Sequence, residues 1–78
     1  MSRFYINVIS FHQFSQILCM FDIACDEKTS SILLKAMQQN AYAIASKGNH
    51  DYLENYLWHK THVPKKAIRM LIEYFSSY

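Results

Sequence analysis

The sequence predicts an all-α, single-domain protein, and three observations carry that expectation. Its 78 residues include one glycine and one proline, too few for the frequent turns an all-β chain needs. A hydrophobic fraction of 51% beside a charged fraction of 18% excludes disorder, which goes with low hydrophobicity and high charge. Apolar residues also recur at three- and four-residue steps in several stretches, the spacing of one helix face. The expected architecture is a compact four-helix unit ending in a helix-turn-helix-like hairpin. No internal repeat, low-complexity tract or linker divides it.

Residues 3–9 (RFYINVI) are rich in β-branched and aromatic side chains and read either as a short strand or as helix. Phe4, Val8 and Phe11 share a helical stripe, which tips the reading to helix. Ser10 followed by Gln13 is a capping-box pattern. Behind it Phe14, Ile17, Leu18 and Phe21 define a core face, in a helix expected to reach about Ala24. The polar break DEKTS at 26–30 offers N-caps, Asp26 and Thr29 foremost. The next helix is expected over 30–46, with Leu33, Ala36, Met37, Ala41 and Ile44 inward and Lys35, Gln38 and Gln39 outward. It is the central core helix, with Ala41 and Ala45 small enough for close helix approach and Gly48 as its left-handed stop. Asn49 is positioned to cap the third helix, Asp51 with Glu54 forms a second capping pattern, and Tyr52, Leu53, Tyr56 and Leu57 point to the core. Pro64 opens the fourth helix, since proline suits a first turn and forces its predecessor out of helical geometry.

A chain this small and this apolar, with six tyrosines, five phenylalanines and one tryptophan, leaves much of its surface exposed as a monomer. A homodimer is therefore expected. Cys19 lies in the apolar run Ile17–Phe21 and reads as a buried reduced thiol; with Cys25 the only other cysteine, a reducing cytoplasm is the expected compartment. Polar residues from Asn7 to Gln16 interrupt any signal-like core. Asp22 spoils the faint lipoprotein box at Ile23-Ala24-Cys25, and no stretch approaches the length of a membrane span. No membrane association is expected.

The net charge of +2 implies little alone, but its distribution is informative. Arg3, Lys28 and Lys35 are balanced by Asp22, Asp26 and Glu27, whereas Lys60, Lys65, Lys66 and Arg69 fall in a stretch, 55–72, that has no acidic residue. There the sequence also meets the spacing that seats one helix of a helix-turn-helix on the other: Val63 in the turn, Ile68 and Leu71 after it, Leu57 before it. Pro64, Lys65, Lys66, Arg69 and Met70 are left outward, where such motifs face phosphates and the major groove. On these residues the segment 52–75 resembles the helix-turn-helix of small bacterial and phage transcription regulators. A fainter likeness is to regulators of bacterial adhesin operons, which place an apolar N-terminal helix before the motif.

The resemblance implies binding of double-stranded DNA, with Lys65 and Lys66 neutralising phosphate, Arg69 able to read a guanine edge, and Lys60 and His62 as secondary contacts. The segment departs from the family pattern at Trp58, where a small residue is usual, and at His62, where glycine is usual. A left-handed backbone at position 62 would suit histidine less well than glycine.

The alternative for the same residues is an ordinary αα-hairpin with a basic polar side. It belongs to a helical adaptor or a secretion-type chaperone that binds a protein partner through exposed aromatic residues. The segment 41–64 is superficially like one tetratricopeptide repeat, but its small residues are misplaced and a single repeat cannot bury its own face. Enzyme chemistry is not expected: there is no glycine-rich phosphate loop and no nucleophile with a base and an orienting group. No metal or cofactor is expected either, since His59 and His62 have no cysteine or carboxylate at ligand spacing and the turn is expected to separate them. Tyr52 and Tyr56 are assigned to the core rather than to base stacking. Histidines titrate near neutral pH, so His50, His59 and His62 beside the basic segment predict tighter anion binding as pH falls.

Overall fold

The computed structural model describes residues 5–46 and 50–77, and these form helices and connecting turns without a strand. In chain order the helices are α1 (Tyr5–Val8), α2 (Phe11–Met20), α3 (Glu27–Gln39), α4 (Ala41–Ala45), α5 (His50–Thr61) and α6 (Lys65–Ser76). The fold is thus all-α, as expected, with two more helical segments than the four anticipated. Where the first segment could be strand or helix, it is helix. The stripe differs from the one expected, because Ile6 and Ile9 are buried while Val8 and Phe11 are exposed. Phe4, Gly48 and Asn49 lie outside the described residues.

The capping box that opens α2 is present: the Gln13 N–H donates to Ser10 Oγ at 3.1 Å, and the Ser10 N–H donates to Gln13 Oε1 at 3.0 Å. Phe14, Ile17 and Leu18 are buried and Phe21 is half-buried against the core. The helix ends earlier than expected because Asp22 takes a left-handed φ of 58°. The Ile23 N–H then reaches the Leu18 carbonyl at 2.9 Å and the Asp22 N–H reaches that of Cys19 at 3.0 Å. These are the two bonds of a Schellman motif, with aspartate where glycine is commonest. Asp tolerates this region better than most residues do, but nothing local flags it without a glycine. Cys19 is exposed rather than buried, since it sits one residue, about 100°, past the last inward position, Leu18.

α3 begins with Asp26 as N-cap, its carboxylate accepting from the Thr29 N–H at 2.7 Å. Hydrogen bonding to the Thr29 side chain, then to its backbone, holds the Asp26 carboxyl below its ordinary pKa. Leu33, Leu34, Ala36 and Met37 are buried along α3, and Ala41 and Ile44 along α4. The single helix expected over 30–46 is broken at Asn40, whose φ of −115° departs from helical values. Its side-chain amide donates to the Ala36 carbonyl at 2.8 Å, so the break leaves that acceptor satisfied.

α3 is central, touching α1, α2, α4 and α5; α6 lies against α4 and α5. The C-terminal end of α6 closes on the N-terminal helices through aromatic rings, Phe75 against Tyr5 at 5.8 Å and Phe14 at 6.2 Å, and Tyr74 against Phe21 at 5.5 Å. The Gln38 side chain bonds the Ile6 carbonyl at 3.1 Å and ties α1 to α3. The radius of gyration, 11.3 Å, matches the roughly 11.5 Å of one compact body of this length. Among the described residues no helix is long and apolar enough to cross a membrane.

Candidate nucleic-acid interface

The α5–α6 hairpin is built from residue spacing. Leu53 and Leu57 from α5, Val63 from the turn, and Ile68, Leu71, Ile72 and Phe75 from α6 are all buried. Every apolar position that the motif spacing demanded therefore faces inward. Pro64, Lys65 and Lys66 are left exposed at the start of α6. Pro64 is the N-cap rather than the first helical residue, with ψ of 138°; its ring fixes φ in a range that suits that place.

The two departures at Trp58 and His62 are one feature. His62 is left-handed, with φ of 59°, and its N–H donates to the Trp58 carbonyl at 2.7 Å. This is the left-handed helix stop with its single bond back to the residue four positions earlier. The Trp58 and His62 rings meet edge-on at 5.4 Å, which supplies the side-chain contact that accompanies such a stop. Thr61 completes the turn: its hydroxyl donates to the Leu57 carbonyl at 2.8 Å and accepts from the Val63 N–H at 3.2 Å. A histidine is thus accommodated where glycine is usual, and Trp58 lies half-buried beside the core instead of blocking the hairpin.

Around Trp58 stand His59 at 5.0 Å, His62, and the Lys65 ammonium 5.4 Å from the ring centroid. The turn does not separate the two histidines; they border the same ring. The Lys60 ammonium stands 5.7 Å from the Tyr56 ring centroid. His50 is not part of this face, because its Nε2 lies 3.2 Å from the Ile44 carbonyl and joins α5 to α4. Tyr52, expected in the core, is 75% exposed.

Arg69 is placed differently from the lysines. Its Nε and Nη2 donate to Glu54 Oε2 and Oε1 at 3.0 and 3.2 Å. Glu54 is buried, whereas the Arg69 side chain is 60% exposed. The Glu54 hydrogen bonds, then its charge, raise the Arg69 pKa above its ordinary value, and Asp51 and Glu73 add to the effect. The stretch free of acids in sequence is thus closed in space by acids just outside both its ends. Glu54 occupies the Nε–Nη2 edge of the guanidinium and leaves Nη1 as its outward donor, and Glu54 is not available for a capping box with Asp51. No local pattern could have revealed this pairing between positions 54 and 69.

What remains at the turn is His62, Lys65 and Lys66, with His59 beside them, suited to binding anions; Lys60 leaves α5 on its other flank, over Tyr56. Lys66 shares a groove with Asp22, Pro64 and Met70, so one carboxylate tempers its field. Among the described residues no group of three or more histidines, cysteines or carboxylates is arranged to hold a metal ion. Comparison with protein-family models, curated proteins and solved structures finds no match to this chain.

Proposed function

We propose that this protein is a small DNA-binding transcription regulator that grips duplex phosphates at the α5–α6 turn. The supporting observation is the turn itself. A left-handed His62 and a buried Val63 sink the apolar side of both helices, and Lys65 and Lys66 are left exposed at the start of α6. Lys60 and His62 supply secondary contacts. Arg69, paired through Nε and Nη2 with Glu54, ties α6 to α5 and presents its remaining N–H groups outward. Contacts of this kind fix orientation and give strongly salt-dependent binding with little sequence preference of their own.

Titration with duplex DNA at several salt concentrations tests this reading, and Trp58, the single tryptophan, supplies an intrinsic fluorescence signal beside Lys65. Binding is expected to weaken steeply with salt. Lys65→Ala/Lys66→Ala is expected to shallow the log–log slope by roughly 1.8, two phosphates at about 0.9 each. Absence of binding at low salt by a fully helical protein would reject it.

A helical adaptor or chaperone is the second reading, favoured by the exposed Val8, Phe11, Met20 and Ile32 on the helices away from the turn. It calls for a stable complex with another protein that is lost on Phe11→Ser. A homodimer would use the same kind of surface, and light scattering on the purified chain distinguishes it from the monomer.

A further inference from the structure

We propose that Lys35 and Gln39 of α3 join Lys60 in a second phosphate-binding patch, on the flank of α5 opposite Trp58 and Lys65. It rests on the duplex-DNA reading above. Ile32, Lys35, Ala36, Gln39 and Lys60 line one open groove of about 270 Å³ between α3 and α5. Trp58 and Lys60 are two residues apart, about 200° around a helix, so they leave α5 on opposite sides with the buried Leu57 between them.

In sequence Lys35 belongs to a charge-balanced half; in space it does not. Asp26 caps the far end of α3, and Glu27 is eight residues from Lys35, about 12 Å along the helix axis. No carboxylate lines the groove. Among the described residues neither Lys35 nor Lys60 forms an ion pair, and the Gln39 amide makes no hydrogen bond. Two ammonium groups bordering one groove favour an anion between them, and a glutamine amide is a common neutral donor to phosphate oxygens. Lys60 occupies the last turn of α5, next to the exposed turn. The anion that fits is therefore the backbone of the same duplex, held on both flanks of α5.

The test is the salt dependence of binding to a random-sequence duplex by wild type, Lys35→Gln and Lys28→Gln. Glutamine keeps the stem and the helix while removing the charge; Lys28 lies on the same helix outside the groove. Lys35→Gln is expected to shallow the log–log slope by about 0.9, with Lys28→Gln unchanged. An unchanged slope for Lys35→Gln, beside a shallower one for Lys65→Ala/Lys66→Ala, overturns the patch and leaves the turn standing. Equal effects at Lys28 and Lys35 also overturn it, as a general charge effect. A wild type that does not bind duplex at all removes the turn and the patch together.

Discussion

Glu54 and Arg69 show how far a residue's role depends on what folding brings beside it. Read along the chain, Arg69 is one of four cations in a stretch, 55–72, that holds no acid; in the fold it is the partner of a buried carboxylate. Removing the arginine leaves a buried charge without its counter-charge, which is costly, whereas removing both charges is tolerated. Arg69→Ala is accordingly expected to lower the urea midpoint more than Lys66→Ala, and Glu54→Gln to restore part of the loss in the double variant. A double variant no more stable than Arg69→Ala would show that the pair does not couple the two helices. Arg69 was legible as a basic surface residue. Its partner was not, because a pairing between helices leaves no periodic trace.

At the scale of elements, the inward faces of α2, α3, α4 and α6 were legible, those of α1 and α5 only in part, and the ends only in part. Burial of Leu33, Ala36, Met37, Ala41 and Ile44 follows directly from helical spacing. The starts of α2 and α3 were readable because Ser10 and Asp26 carry cap oxygens. The stops of α2 and α5 were harder, since Asp22 and His62 take the left-handed conformation without glycine. At position 62 a β-branched residue meets the full steric penalty of that conformation, while glycine meets none. His62→Val is expected to destabilise by about 1–2 kcal/mol. His62→Gly should be neutral or stabilising by up to about 1 kcal/mol, offset by its greater unfolded entropy. Chemical denaturation measures both, and a valine variant as stable as wild type would contradict the left-handed turn.

For the whole molecule, the aromatic closure of α6 on α1 and α2 unites the ends of the chain. Phe14 is fully buried and stacks on Phe75. Phe14→Ala is expected to cost about 3–5 kcal/mol. The total for a domain of this size is only about 4–12 kcal/mol. The variant should therefore unfold well below the wild-type urea midpoint, losing helical circular dichroism in one transition. A shift too small to resolve would mean that the N-terminal helices pack independently of the hairpin.

The sequence by itself determined the helical class, the core faces of α2, α3, α4 and α6, and the outward lysines of the hairpin. These follow from local rules: scarcity of turn residues, apolar spacing near 3.6, and cap chemistry within three or four positions. Tertiary structure alone decided that Arg69 is neutralised by Glu54, that Lys35 comes beside Lys60, and that Trp58 and His62 act as one helix stop. Each depends on where two segments meet or on which φ a single residue adopts. Those outcomes are set by the packing of the whole chain, to which no short stretch of sequence has access.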